Sequence, residues 1–174
     1  MYYNYMSDQD QYYGNQMQDA GDDMDMGMGM DMGMNVRQSI SGRDINLESE
    51  IAKAITGEVQ AYYFYEKLME LAPNEEIKNV IKGIQEDEAK HYHWFTAILR
   101  RMGAEIPQVP AGEMPTDFEE GVKRAIRDEL EANEFYLDIA YRATDPFIEK
   151  HFRHASQDEQ RHATLFLNIL MNMM

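Results

Sequence analysis

A chain of 174 residues is long enough for one domain with a sizeable core and a tail beside it. With 32 Asp and Glu against 16 Lys and Arg, it is strongly acidic, which argues against nucleic acid as a partner and favours cations. There is no Cys, so disulfides, thiolate zinc sites, iron–sulfur clusters and a Cys nucleophile are excluded. No basic segment followed by an apolar run marks a signal peptide, and no stretch approaches the ~18 apolar residues of a membrane span. A cytoplasmic protein with no membrane partner is the expectation.

Residues 1–43 form a biased segment. Up to residue 40 it holds nine of the fifteen Met, five of the eleven Tyr, seven Asp and a single basic residue, Arg37. The run Asp23-Met24-Asp25-Met26-Gly27-Met28-Gly29-Met30-Asp31-Met32-Gly33-Met34 alternates like a strand, but Gly and Asp are poor strand residues, so disorder is the better reading. Met sulfur suits Cu(I) and Tyr-rich tails suit assembly, but a solvated linker or contact segment is the commoner use of such a tail.

Residues 44–174 read as an all-α domain. A first helix opens near Asp44 or Asn46 and closes before Pro73; Asn74 caps a second, stopped by Gly103. A connection from Ala104 to Pro115 follows, carrying Pro107, Pro110 and Gly112. Thr116 with Glu119 spells a capping box for a third helix, ending near Ala143, and Asp145-Pro146 opens a fourth. Four long helices imply a four-helix bundle.

The second helix sets Ile77, Ile81, Ile84, Glu88, His91, Phe95, Ile98 and Met102 at spacings of three and four, the mark of a buried face. The fourth repeats it with Ile148, Phe152, Ala155, Glu159, His162, Phe166, Ile169 and Met173. A constant shift of 71 residues lays Asp87-Glu88-Ala89-Lys90-His91 over Asp158-Glu159-Gln160-Arg161-His162, and Glu58 with Tyr65 over Glu129 with Tyr136. The chain is thus two copies of one helical hairpin. Glu58 and Glu88 each lie fifteen residues from Pro73, and Glu129 and Glu159 each fifteen from Thr144. At ~1.5 Å per residue all four sit about 22 Å from their turns, at one level in mid-bundle.

Carboxylates at that depth need compensation, and no Lys or Arg occupies any of the four seams. Two divalent cations would cancel four carboxylates and leave both histidines neutral, as ligands must be. The candidate metal ligands are Glu58, Glu88, His91, Glu129, Glu159 and His162, and the four glutamates are also the candidate catalytic residues. Oxygen-rich ligation with one imidazole per metal suits iron, or manganese, better than zinc or copper. Asp87 and Asp158 flank the seam and are placed to reach the ring N–H of His162 and His91 respectively. Tyr65 and Tyr136 share the seam and can bond a ligand carboxylate, while Tyr62, facing Asn133 in the repeat, is a candidate redox or gating residue. His93, His151 and His154 read as surface or packing residues, and Trp94 as core edge or interface.

One Glu from each of two helices with Glu-x-x-His from the other two is the di-iron carboxylate pattern of ferritin-like bundles. Ala54-Ile55-Thr56-Gly57-Glu58-Val59-Gln60-Ala61 and Asp87-Glu88-Ala89-Lys90-His91 most resemble rubrerythrins, over about residues 45–172. The resemblance implies a non-haem di-iron site handling hydrogen peroxide or dioxygen, an oxidoreductase or peroxidase of oxidative stress, with the six residues as ligands. It differs in two ways. The Cys-ligated rubredoxin domain has no counterpart here, so electrons would come from a separate rubredoxin or flavoprotein. The family's extra Glu three residues after the third-helix ligand is Ala132, so a more symmetric site is expected. A homodimer is the expected assembly; the thirteen residues from Gly103 to Pro115 span about 43–47 Å extended, enough to cross their own bundle or to exchange hairpins with a second copy. Alternative roles are ferroxidase or iron handling, and a structural role in a larger layer such as a spore coat.

Overall fold

The computed structural model describes residues 42–173, with side chains from residue 47 onward. The helices are α1, Gly42–Leu71; α2, Glu75–Met102; α3, Phe118–Arg142; and α4, Pro146–Met173. The low-complexity segment lies outside the described residues, except that Gly42 and Arg43 already belong to α1. Helix α1 therefore starts slightly upstream of the Asp44–Asn46 opening expected from caps.

Local chemistry sets the other ends. Asn74 accepts the Ile77 amide at 2.9 Å, with Glu75 and Glu76 in the first turn favouring the positive end of the α2 dipole. Gly103, at φ 76°, takes the left-handed conformation that ends α2 and lets Ala104 N–H reach Leu99 O at 3.0 Å. The α3 cap falls one residue later than the Thr116 expectation: Asp117 accepts the Glu120 amide at 2.9 Å. An ionised carboxylate at a helix N-terminus gains from the dipole as well as the hydrogen bond, so Asp displaces the neighbouring Thr. Asp145 accepts the Phe147 amide at 2.8 Å and opens α4.

Helix α1 packs on α2 and α3, and α4 on α3 and α2, with α1/α4 and α2/α3 across the diagonals. Crossed contacts show that neighbours run antiparallel: Tyr65 meets Glu129 while Tyr136 meets Glu58, and His91 meets Asp158 while His162 meets Asp87. These pairs are exchanged by the 71-residue shift, so the two hairpins are related by an approximate two-fold axis.

Two apolar clusters fill the bundle, one on each side of a polar layer. Ile51, Ile55, Phe95, Ile98, Leu99, Ile139 and Phe152 form one; Leu68, Ile81, Ile84, Val122, Phe166 and Ile169 form the other. Phe95 and Phe152 stack at 4.1 Å with both rings fully buried; burial of a ring of this kind contributes ~1.5–3 kcal/mol. Diagonal, parallel α2 and α3 require a connection that travels the length of the bundle. It runs along the α1/α3 side of its own bundle: Val109 is buried in the first cluster, Gln60 Nε2 donates to Pro110 O at 3.1 Å, and Gly112 packs on the Gln60 side chain. No hairpin exchange is needed to join the halves.

Candidate metal centre

The polar layer is where the four helices interrupt their apolar faces. Glu58 on α1, Glu88 and His91 on α2, Glu129 on α3, and Glu159 and His162 on α4 are each at most 3% exposed. They fall into two groups, Glu58–Glu88–His91–Glu159 and Glu88–Glu129–Glu159–His162, whose donor atoms lie within 4.8 Å of one another. Glu88 and Glu159 belong to both groups. Each group holds one unshared carboxylate and one imidazole, a layout suited to two cations bridged by two carboxylates.

Both histidines turn Nδ1 inward. His91 Nδ1 lies 3.0 Å from Glu159 and 3.7 Å from Glu58; His162 Nδ1 lies 3.0 Å from Glu159 and 3.2 Å from Glu88. Their Nε2 atoms face outward, each 3.2 Å from an Asp carboxylate, Asp158 for His91 and Asp87 for His162. Such a contact fixes the ring orientation, with Nδ1 turned to the interior, where the neutral form would offer its lone pair to a cation. Tyr65 donates to Glu129 Oε1 at 2.5 Å and Tyr136 to Glu58 Oε1, across the α1/α3 groove.

Burial pushes Glu58 and Glu129 well above the ordinary carboxylate value, and the neighbouring Glu88 and Glu159 add to it. Burial acts the same way on Glu88 and Glu159, but the imidazoles outweigh it and hold both below that value. It would lower both histidines; the carboxylates around them, Glu159 first for His91 and Asp87 first for His162, raise them instead. Without a cation, the shifts thus favour the protonated form of Glu58 and Glu129, the ionised form of Glu88 and Glu159, and the protonated form of both imidazoles.

That balance leaves buried atoms unserved. Glu58 Oε2, Glu88 Oε1, His91 Nδ1 and Glu159 Oε1 have no hydrogen-bond partner. His91 Nδ1 and Glu159 Oε1 are close without being aligned to share a proton. Unpaired buried polar atoms are rare and costly, and four converging on one interior fit a cation pair better than protons.

Outside the histidines, Lys90 Nζ bridges Asp87 at 2.6 Å and Asp158 at 3.1 Å, and Arg161 bridges the same two at 2.6 and 2.8 Å. Both lie off the apolar seams, and their matched place in the repeated five-residue segment, 71 apart, is the signal that could find them. Tyr62 is not brought to the layer. It is half-buried, edges Tyr63, and the charges acting on its hydroxyl are Glu66 and Glu86. Four residues of helix turn it about 40° off the line of Glu58, whereas Tyr65 stays within ~20°.

On the α1/α3 side the layer opens into a cavity of about 260 Å³. Glu58, Glu129, Tyr65 and Tyr136 line its inner part, Gly57, Ala61 and Ala132 keep it wide, and Arg124, Asp128 and Glu113 stand among its charged lining residues.

Four antiparallel-packed helices with this carboxylate–histidine layer define a ferritin-like protein. The rubrerythrin family model matches residues 49–170, and the chain belongs to the rubrerythrin family. A Bacillus subtilis (strain 168) protein described as the uncharacterized protein YhjR is 36% identical over 122 residues, 70% of this chain and 84% of the relative. Among solved structures, a hypothetical protein from Pyrococcus furiosus superposes with a TM-score of 0.64 at 23% identity, covering 75% of this chain and 92% of its own. The bacterioferritin-related protein of Bacteroides fragilis, a dodecameric thioferritin, gives 0.67 at 17% identity over 74% of this chain and 86% of its own. At these identities the likeness is one of fold. Among the described residues no helix is long and apolar enough to cross a membrane.

Proposed function

We propose that this protein is a non-haem di-iron oxidoreductase, with manganese the alternative metal, that reduces hydrogen peroxide or reacts with dioxygen in its four-helix core. The observation that carries the reading is the pair of buried four-residue groups sharing Glu88 and Glu159, with four donor atoms left unserved, at the inner end of a cavity sized for a small oxidant. Bound there, a pair of redox cations would supply the two electrons that convert one peroxide and two protons into two waters. Glu88 and Glu159, common to both groups, would each serve both cations, Glu58 and Glu129 one each, and His91 and His162 would complete one group each. Tyr65 and Tyr136 orient the outer carboxylates by hydrogen bonds and shield the centre on the cavity side. Asp87 and Asp158, clamped by Lys90 and Arg161, keep both imidazoles presenting Nδ1. The electrons would be resupplied by a donor outside this bundle.

Iron oxidation is the second reading, favoured by Glu113 and Asp128 among the cavity's lining residues, carboxylates that an entering cation would meet. The test is anaerobic loading with Fe(II), a metal count, and peroxide consumption fed by a small chemical reductant. Two metals per chain and turnover abolished by Glu88→Ala support the oxidoreductase. Two metals with no peroxide consumption above free iron refute it, and growth of large iron-loaded particles moves the assignment to iron handling.

A further inference from the structure

The cavity on the α1/α3 side holds about 260 Å³, more than hydrogen peroxide fills. A water's share of the liquid is about 30 Å³, so a molecule of two oxygens takes up roughly a quarter of that space. Sites for organic ligands begin at about 300 Å³. The volume therefore suits an oxidant that carries a compact organic group.

The wall has the chemistry to hold one. Ala61 on α1 and Ala132 on α3 are partners under the 71-residue shift, and both line the cavity, so neither helix fills it from that turn. Gly57 lines it too, and the nearest atom a Cβ there would meet is the Tyr136 hydroxyl, 3.8 Å away. Phe64, buried on α1, adds an aromatic ring, and Tyr65 and Tyr136 add two more. Among the same lining residues are Glu58, Glu88 and Glu159, each with a buried oxygen that has no hydrogen-bond partner. An apolar chamber thus adjoins the unserved side of the candidate metal centre.

The charged lining decides what may enter. Arg124 is the one basic side chain lining the cavity among the described residues, and it is already engaged: Nε lies 3.2 Å from Asp128 and Nη1 3.5 Å from Glu113. Two carboxylates against one guanidinium leave this region net negative, which repels an anion. A neutral organic molecule meets no such penalty.

We propose that the α1/α3 cavity binds neutral alkyl and aryl hydroperoxides and that they are reduced there, with Ala61 and Ala132 setting the size of the organic group. This rests on the function proposed above and names a wider class of peroxide for the same site. The O–O bond of the hydroperoxide breaks. Two protons, and two electrons from a one-electron reductant such as a reduced viologen, turn its oxygens into one alcohol and one water. The organic group lies against Phe64, Ala61 and Ala132, and each methylene buried there is worth roughly fourfold in binding. Hydrogen peroxide gains nothing from that wall, so the lining and not the ligand set decides between the two peroxides.

The test has a binding arm and a turnover arm. In the first, 2-phenyl-2-propanol, the alcohol that cumene hydroperoxide yields, is titrated into the full chain, metal-stripped and zinc-loaded, and followed by ligand-observed NMR. Saturable binding is expected, weakened about tenfold by Ala132→Leu at unchanged helicity. In the second, iron-loaded protein receives reduced viologen and either cumene hydroperoxide or hydrogen peroxide, background subtracted. Ala132→Leu is expected to lower kcat/KM for cumene hydroperoxide about tenfold relative to hydrogen peroxide. A carboxylate-bearing aryl hydroperoxide is expected to react about tenfold more slowly than the neutral one, a gap that narrows with added salt. If Ala132→Leu loses helicity or metal, Gly57→Ala narrows the same cavity from α1, with an expected loss of about threefold in both arms. No saturable alcohol binding, alcohol binding indifferent to the narrowing substitutions, an anionic hydroperoxide reduced as fast as the neutral one, or reduction of hydrogen peroxide without cumene hydroperoxide overturns the proposal. Absence of turnover with both peroxides in the unaltered protein instead removes the function proposed above and the reduction that rests on it, and the alcohol titration still decides the pocket.

Discussion

Exchanging Glu58 for Gln and exchanging Glu159 for Gln are expected to differ sharply in metal-stripped protein, although both side chains are 1% exposed. Burial and the nearby Glu88 raise Glu58 well above the ordinary range, which favours its protonated form. Gln closely matches that neutral form, and its amide oxygen can still accept the Tyr136 hydroxyl. The expected cost of Glu58→Gln is below about 1 kcal/mol. Glu159 is held ionised and lies 3.0 Å from the inward nitrogens of both His91 and His162. Removing its charge leaves two buried imidazoliums short of their nearest counter-ion, a loss of ~3–5 kcal/mol. At roughly 3–5 °C per kcal/mol for a domain of this size, the midpoint falls by about 10–20 °C for Glu159→Gln and by a few degrees at most for Glu58→Gln. Thermal unfolding followed by circular dichroism in chelator measures both. Equal shifts, or the larger shift in Glu58→Gln, would refute the proton assignment and with it the charge balance of the centre.

The same shifts predict that filling both groups with divalent cations releases protons from the raised carboxyls and imidazoles, so affinity strengthens as pH rises; a pH-stat titration with Mn(II) reads the release directly. Asp158→Asn removes the acceptor that fixes His91 and is expected to weaken metal binding ~10–100-fold in chelator competition. Asp158 is held down to about 2 against an ordinary value of 3.8. Its support of the fold is therefore complete above 3.8 and lost as pH falls toward 2, seen as a flatter acid-unfolding curve in the variant. In Gly121→Ala the new Cβ meets Leu68 Cδ1 at 2.6 Å and Pro115 Cβ at 3.1 Å; overpacking where the connection enters α3 is expected to cost ~1–3 kcal/mol in denaturant unfolding.

What was legible in the sequence was whatever follows from angle and height along a helix. Ile81, Ile84, Phe95 and Ile98 mark one face of α2, and Glu88 and His91 interrupt that face, so their burial follows from periodicity alone. Equal distances from the two turns put Glu58 beside Glu88 and Glu129 beside Glu159. The crossing of Asp87 to His162 and Asp158 to His91 follows once α2 and α4 are taken as antiparallel neighbours. What was hidden depends on which helices touch and on side chains off the seam. Tyr62 looked like a seam residue at four from Glu58, but the accumulated rotation carries it to the Glu66 and Glu86 side. Thr116 and Asp117 are both capping types, and only the charge at the helix end decides between them. Lys90 and Arg161 cover the histidines from positions that periodicity assigns to solvent.

The repeat separates what the centre needs from what its surroundings do. Ligand positions, their Tyr and Asp partners, and the Lys90/Arg161 clamp all obey the 71-residue shift, so the layer is close to two-fold. A symmetric pair of cation positions has no preferred direction for oxidant or electrons. The His91 ring meets Trp94, whose counterpart in the repeat is Leu165. Under the proposed function, direction would come from residues that break the repeat: the connection, laid along α1/α3, brings Gly112 and Glu113 to the cavity, and Trp94 with His154 replaces Leu165 with Gly83 on α2/α4.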